Sequence, residues 1–145
     1  MRVVVQRAKD ACVKVDGNVV GQIEKGLMIL VGFTDGDNKE SIDYLAKKCL
    51  NLRIFPDENG VMNKSVLDVG GAILLVSQFT LYADTHKGNR PSYMKALGGE
   101  EAIKLYEMFA SELKTQVHVE TGIFGADMEV SFTNMGPTTI LMEKE

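Results

Sequence analysis

The sequence predicts a single α/β domain over residues 1–145, with a mixed, largely antiparallel, barrel-like β-sheet and two main amphipathic helices. Three observations lead to this prediction. Short stretches rich in valine and isoleucine fill the first third of the chain, two later segments carry apolar residues at helical spacing, and further strand-like stretches follow the second of these. A chain of 145 residues suits one core, and no linker or low-complexity stretch divides it.

The first third of the chain predicts strands. Residues 2–7 carry a valine run, and residues 12–16 alternate apolar and polar side chains. The tripeptide Asp-Gly-Asn at 16–18 favours a hairpin turn because Gly and Asn accept positive φ, and residues 19–23 return as a strand. Residues 26–33 form a continuous apolar run, short enough for a strand that is buried on both faces.

The middle of the chain predicts a helix and a second buried strand. Asn38 is a suitable N-cap, and the apolar residues behind it recur at i, i+3, i+4, i+7 and i+8. These residues are Ile42, Leu45, Ala46, Cys49 and Leu50. Residues 56–60 predict a turn between short strands, residues 72–81 a buried strand, and residues 83–92 an irregular basic loop.

The last third predicts a helix followed by closing strands. Residues 100–114 have acids in the first turn and an apolar inner face, which comprises Ile103, Tyr106, Ala110 and Leu113. Strands are predicted over 117–121, 128–133 and 138–142.

Two of the buried segments resemble each other. Residues 26–34 read GLMILVGFT and residues 71–80 read GAILLVSQFT, and each is later followed by an amphipathic helix. An internal duplication would explain the likeness, and so would the ordinary similarity of buried strands.

Composition narrows the classes of function. A net charge of -4 argues against a protein that coats nucleic acid, although a few well-placed cations suffice for a local RNA contact. The two cysteines, Cys12 and Cys49, form no CxxC pair, so no disulfide framework, zinc site or other metal site is predicted. No phosphate-binding or dinucleotide fingerprint suggests a cofactor, and no stretch is long and apolar enough for a membrane span. We expect a cytoplasmic protein with no membrane or DNA partner.

A first candidate site is Ser77-Gln78-Phe79-Thr80, where an apolar strand ends in three hydrogen-bonding side chains around one aromatic ring. The end of a buried strand holds polar groups accurately, but a strand that simply emerges into solvent would look the same. A Ser-His hydrolase using His86 is disfavoured, because no nucleophile-elbow pattern surrounds Ser77 and no acidic residue is identifiable that would orient the histidine.

Two further segments are candidates. Gly136 before Pro137 permits an unusual backbone and a cis bond, which could aim two adjacent carbonyls the same way, although a plain turn is the simpler interpretation. The loop over 83–95 brings basic side chains together with Tyr93, which suits phosphate contact and base stacking, or a solvated loop. Its basic residues are His86, Lys87, Arg90 and Lys95.

In their order and spacing along the sequence, these segments resemble those of the D-aminoacyl-tRNA deacylase family, and the resemblance covers essentially the whole chain. The matching segments are Val5–Arg7, Arg53–Phe55, Gly71–Leu81 ending in SQFTL, Arg90–Tyr93, Gly125–Met128 and the Asn-x-Gly-Pro-x-Thr of Asn134–Thr139. The family usually has Phe where this chain has Tyr93, and often an acid where it has Met135, which puts only local contacts in doubt.

The resemblance implies a homodimeric hydrolase that cleaves D-amino acids from tRNA. It implies that Gly136 and Pro137 of one subunit, supported by Arg7, face residues 77–80 of the other and reject L-aminoacyl esters. It also implies that the terminal 2′-hydroxyl of the tRNA assists, so that no protein nucleophile is needed, with Thr80 as nucleophile the alternative. Glycyl-tRNA mischarged on tRNA(Ala) should be cleaved too, because glycine has no side chain to clash.

Three competing interpretations remain. These are a non-catalytic RNA-binding module, a generic small esterase and a purely structural dimer.

Overall fold

The first two strands are long and form a hairpin in the computed structural model, which describes residues 1–145. Strand β1 (Arg2–Val15) and strand β2 (Asn18–Gly32) are each continuous, so the separate short strands predicted from the sequence merge in pairs. The turn consists of Asp16 and Gly17, both at positive φ, whereas Asn18 already belongs to β2. The predicted role of Asn18 in the turn is therefore wrong, because a two-residue turn of this type needs positive φ at its two central residues.

The main sheet has five strands in the order β6-β5-β2-β1-β7. Strand β5 (Ala72–Ser77) runs parallel to β2, and β6 (Val119–Thr121) runs parallel to β5. Strand β7 (Glu129–Glu143) pairs antiparallel with β1 and absorbs the two strands predicted over 128–133 and 138–142. The prediction of a mixed α/β fold is confirmed. The sheet is open in its hydrogen bonding, with β6 and β7 as its two edges.

The second buried strand ends earlier than predicted. Strand β5 stops at Ser77, and Phe79–Tyr82 form a 3-10 helix instead of continuing the strand to Leu81. The reason lies in the neighbouring strand, because Gln78 N–H still bonds the Val31 oxygen but β2 ends one residue later. Beyond that point the backbone lacks a partner strand and satisfies its polar groups through local bonds such as Ala83 N–H to the Thr80 oxygen, 3.0 Å long.

Helix α1 (Lys39–Asn51) begins where the sequence predicts. The Asn38 side chain accepts hydrogen bonds from the Glu40 and Ser41 N–H groups, and the Ser41 hydroxyl accepts the Asn38 N–H in return. This reciprocal pair is a capping box. All five apolar residues predicted for its inner face are buried.

Helix α2 (Gly99–Lys114) confirms its prediction except at one position. Ile103 is 36% exposed, and the buried stripe is instead Ala102, Tyr106, Phe109, Ala110 and Leu113. These residues follow the spacing of one helical face, from which Ile103 is displaced by about 100° relative to Ala102. Neither helix has the length and apolar character that a membrane span requires.

The sheet buries apolar side chains on both faces. The larger core lies between one face and the two helices, with Leu27, Ile29 and Phe109 at its centre. A smaller core on the opposite face includes Ala8 and Met28. The two similar segments lie side by side as parallel strands, with Leu27 opposite Ile73, while internal duplication stays a hypothesis.

The middle of the β1–β7 ladder contains an excursion. Gln6 pairs with Thr139, but the next pair is Ala8 with Asn134, so residues 135–138 of β7 lie opposite Arg7 alone. We call residues 135–138 the β7 bulge. A short hairpin of β3 (Phe55–Pro56) and β4 (Met62–Lys64) follows α1, around the turn predicted at 56–60.

Candidate active site

A cleft of about 510 Å³ opens where β2 and β5 end. Ser77, Gln78 and Phe79 from the end of β5 line it, as do residues that leave β2. Its other walls come from 96–98, 124–128 and side chains of α2 and β7. The lining is mainly apolar, with a few polar groups, which is typical of a small-molecule site.

The loop before α2 is fastened to the end of β2 and forms one wall of the cleft. Leu97 N–H donates to the Phe33 oxygen at 2.9 Å, and the Thr34 hydroxyl donates to the Lys95 oxygen at 2.6 Å. The same loop carries Tyr93, whose ring meets that of Phe79 edge to face, with centroids 5.2 Å apart. Phe79 is 54% exposed and Tyr93 43% exposed, so this aromatic pair presents apolar surface to a ligand.

The polar residues at the end of β5 have different environments. Gln78 donates from Nε2 to the Thr80 hydroxyl, and Thr80 does not line the cleft. The Ser77 side chain lines the cleft and forms no hydrogen bond with a protein group. The structure therefore brings Ser77, Gln78 and Phe79 of this motif into one cleft and leaves Thr80 outside its lining.

No histidine is placed to activate Ser77 or Thr80. His86 Nδ1 lies 2.6 Å from Asp84 Oδ1, on a side chain that is 90% exposed, and no hydrogen bond joins it to either hydroxyl. From the sequence, no acidic residue was identifiable that would orient this histidine. The structure corrects this, because Asp84, two residues earlier in the chain, contacts the His86 ring. The N–H and ring of His86 hold the pKa of Asp84 below its usual value. His118 pairs instead with Glu120, on β6.

The basic loop is held at its base by a short bridge. Asp84 and Ser92 exchange two main-chain hydrogen bonds of 2.8 and 2.9 Å. The four predicted RNA-contacting side chains, His86, Lys87, Arg90 and Lys95, are exposed on this loop and on the segment that follows Tyr93. Lys95 Nζ lies 3.9 Å from Asp84 Oδ2. The same segment of chain therefore carries these positive charges and Tyr93, which lines the cleft.

The β7 bulge carries the Gly136–Pro137 dipeptide, whose peptide bond is cis and whose two residues are exposed. Arg7 donates from Nε to the Met135 oxygen at 2.9 Å and from Nη1 to the Ile54 oxygen at 2.8 Å. The guanidinium thus joins the bulge to the segment that leads into β3.

Only glycine fits at the centre of the bulge. Gly136 has φ +133°, and a Cβ there would lie 2.5 Å from the Thr138 hydroxyl and 3.1 Å from Arg7 Nη2. Thr138 is buried, and its hydroxyl has no hydrogen-bond partner. Neither Gly136 nor Pro137 lines the cleft of its own chain.

The family is decided by comparison with known proteins. The model of the D-Tyr-tRNA(Tyr) deacylase family matches residues 4–143. The chain belongs to this family. It is 56% identical over 146 residues to a D-aminoacyl-tRNA deacylase of Clostridium kluyveri, covering 100% of this chain and 98% of that relative. This chain is therefore a D-aminoacyl-tRNA deacylase, which is an ester hydrolase.

Two solved structures share the fold of this deacylase. One, described as a c-Myc DNA unwinding element binding protein, has a TM-score of 0.94 and 38% identity, covering 100% of this chain and 99% of the other. The second, described as a probable eukaryotic D-amino acid tRNA deacylase, has a TM-score of 0.84 and 18% identity over 99% and 98% of the two chains. At that identity the second comparison establishes the fold alone.

Sequence reasoning missed part of the cleft of the deacylase. Residues 96–98 and 124–128 form walls but were not predicted as site residues. The Gly-Ala-Asp-Met segment at 125–128 is one of the segments that match the family, and that match is the signal that could have identified it as part of the cleft. No group of three or more His, Cys, Asp or Glu side chains is arranged to hold a metal ion. Burial raises the pKa of the Cys49 thiol to about 12, so it is a core residue without reactivity.

Proposed function

We propose that this deacylase works as a homodimer in which the Gly136–Pro137 dipeptide of one subunit enters the cleft of the other. One observation carries the proposal. The dipeptide is exposed, fixed by Arg7 and outside the cleft of its own chain, while that cleft is open to solvent beside Ser77. A rigid projection and an open cleft are complementary in a two-fold dimer, where each subunit offers both.

The dipeptide would select the D configuration by rejection. The carbonyl oxygens of Gly136 and Pro137 accept the α-ammonium of the substrate and hold its Cα against the main chain. A D side chain then points out of the cleft, whereas an L side chain strikes backbone. Because the clash is at Cα, the identity of the side chain has little effect. Glycyl esters have nothing to clash and are cleaved, including glycine mischarged on tRNA(Ala).

Hydrolysis proceeds without a protein nucleophile. Water adds to the ester carbonyl carbon, the bond from that carbon to the ribose oxygen breaks, and the ribose oxygen takes up a proton, leaving free amino acid and tRNA. The terminal 2′-hydroxyl of the tRNA assists this step, and a main-chain N–H of Phe79 or Thr80 stabilises the oxyanion. The pairing of His86 with Asp84, away from Ser77 and Thr80, supports this mechanism over a Ser-His hydrolase.

The basic loop would contact the acceptor stem in the cytoplasm, where charged tRNA is used. His86, Lys87, Arg90 and Lys95 supply the phosphate contacts, which are salt-sensitive and independent of the amino acid. Their substitution raises KM for all aminoacyl-tRNAs alike and leaves the D/L ratio unchanged. Because the net charge is -4, we expect excess duplex DNA not to compete.

The first experiment charges one tRNA with D-tyrosine or L-tyrosine and follows ester loss after addition of the purified protein. Loss of the D ester with the L ester spared supports the proposal. Equal loss of both discards rejection by the dipeptide, and cleavage of simple esters without tRNA indicates a generic esterase. A tRNA ending in 2′-deoxyadenosine should react far more slowly, and an unchanged rate excludes 2′-hydroxyl assistance.

The dimer is tested by complementation. Gly136→Ala removes the dipeptide geometry, and Ala126→Trp fills the cleft, so each homodimer should be inactive. After unfolding and refolding together, mixed dimers contain one intact cleft facing one intact dipeptide, and activity should return. A mixture that light scattering shows to be dimeric but that stays inactive would exclude a site shared between subunits.

A further inference from the structure

Asn134 forms a side-chain clamp across the β7 bulge. Its Oδ1 accepts the N–H of Thr138 at 2.7 Å, so that residues 134 and 138 are joined over the projecting dipeptide. Its Nδ2 donates to the Thr139 hydroxyl at 3.0 Å and to Gln6 Oε1 at 3.4 Å. All the hydrogen bonds of this amide go to the bulge, to the residue of β7 that follows it and to β1, so the side chain holds only this local geometry.

The clamp and Arg7 hold the bulge from opposite faces of the sheet. Cross-strand partners share a face, so Asn134 lies on the face of Ala8, which belongs to the smaller core. Gln6, two residues from Ala8 along β1, lies on that face too. Arg7 points the other way and reaches the Ile54 oxygen beside the larger core. The bulge therefore cannot tilt toward either face without breaking one of these contacts.

The planarity of the peptide bond connects this clamp to specificity. The N–H of Thr138 and the C=O of Pro137 belong to one rigid peptide plane, so fixing the N–H fixes the direction of the carbonyl. Arg7 acts likewise through the Met135 oxygen, which shares a plane with the Gly136 N–H. The two planes that flank the Gly136–Pro137 bond are thus each held by one side chain.

We infer that Asn134 is a positioning residue that aims the Pro137 carbonyl and so sets the D/L ratio. The inference rests on the proposed function, in which that carbonyl accepts the substrate ammonium. Gln6 and Thr139 orient the amide, because they accept from Nδ2 and leave Oδ1 for the Thr138 N–H. Asn134 itself does not line the cleft of its own chain.

The test compares kcat/KM for D-tyrosyl-tRNA and L-tyrosyl-tRNA in Asn134→Ala and Asn134→Asp. Alanine should lower the D/L ratio by about tenfold, the effect of losing one positioning hydrogen bond. Aspartate keeps an acceptor for the Thr138 N–H, and the Thr139 hydroxyl can rotate to donate to its second oxygen, so this variant should recover part of the ratio that alanine loses. Asn51→Ala is the matched control, because that exposed side chain donates only to the Lys47 oxygen at the end of α1.

The outcomes separate this inference from the proposed function. If the parent protein cleaves both esters equally, the proposed function fails. If the parent discriminates and Asn134→Ala keeps the same D/L ratio, the inference fails alone. The inference also fails if Asn134→Ala lowers kcat/KM equally for both esters and lowers the Tm, because such a result shows only a loss of structural stability. The inference is also overturned if Asn134→Asp has a D/L ratio as low as that of Asn134→Ala. Should Asn134→Ala not fold, Thr139→Val tests the same clamp, and an unchanged ratio there overturns the inference.

Discussion

Arg7 and Met135 are joined across the β1–β7 ladder by a hydrogen bond of 2.9 Å from the guanidinium Nε to the main-chain oxygen. The same guanidinium reaches the Ile54 oxygen at 2.8 Å, so one side chain connects two strands and the segment that leads into β3. Its planar, forked donors suit two carbonyls in fixed directions, and a lysine ammonium would not reproduce that geometry.

Arg7→Lys should therefore keep the charge but lose the support of the bulge. We expect kcat/KM for D-tyrosyl-tRNA to fall by about tenfold or more and the D/L ratio to fall with it. Arg53→Lys is the matched control, since Arg53 also binds a main-chain oxygen, that of Asn63, but in the exposed β3–β4 hairpin. Equal D/L ratios in the two variants would contradict the role of Arg7.

Gly136→Ala should abolish selective activity. The new Cβ would meet the Thr138 hydroxyl at 2.5 Å, so the carbonyls must move, and a displacement of about 1 Å can cost about 10²-fold in rate. Gly17→Ala is the control, because Gly17 also has a positive φ, of +79°, but nothing lies within 4 Å of the added atom. If both variants stay fully active, the geometry of Gly136 is unimportant for the reaction.

Thr80→Ala should retain most of the deacylase activity. The Thr80 hydroxyl accepts a hydrogen bond from Gln78 and does not line the cleft, so its loss disturbs only the support of Gln78. We expect single-turnover rates within about tenfold of the parent. A fall of three orders of magnitude, with an unchanged Tm, would instead identify Thr80 as a nucleophile.

The sequence predicted the elements whose signals are local. The N-cap of helix α1 at Asn38 and its buried face from Ile42 to Leu50 were predictable, because capping and helical spacing depend on residues that are close together in the sequence. The end of β5 could not be predicted, since it depends on where β2 stops. The apolar character of Ile103 predicts a core position, but the buried face of α2 contains Ala102 and Phe109 instead.

The site was predictable only in part, because it is assembled from distant segments. The motif at Ser77–Thr80, of which the first three residues line the cleft, and the Gly136–Pro137 pair of the proposed function are both visible in the sequence. The cleft, by contrast, needs loops from three parts of the chain, and no periodic pattern connects 96–98 with 124–128. The Asn134 clamp depends on a register change between β1 and β7, which only the paired strands reveal.

Asp84 should contribute a pH-dependent stability to the basic loop. Its pKa is lowered in the folded protein by the N–H and ring of His86, so the contribution is present above the ordinary pKa of an aspartate. It is lost as the pH falls through the lowered value. The Tm of Asp84→Asn should lie below that of the parent at pH 6, and the two should converge in acid. A constant difference between them would contradict this.

Asn38→Ala should destabilise the fold without affecting the chemistry. The variant loses the acceptor for two N–H groups at the start of α1, which typically costs about 1 kcal/mol in the free energy of unfolding. Urea denaturation measures the loss, and the D/L ratio should equal that of the parent. Asn51→Ala, at the other end of the helix, should change the midpoint much less.

The register change between β1 and β7 gives the two halves of β7 opposite hydrophobic patterns in the sequence. Val130, Phe132 and Asn134 have even numbers and lie on the face of the smaller core, whereas Ile140 and Met142, also even, pack against the larger one. The bulge therefore reverses the parity of the strand. On both sides of the bulge each residue of β7 still shares a face with its partner on β1. The two halves of β7 must therefore carry opposite hydrophobic patterns in the sequence, and the projection between them must keep glycine at position 136.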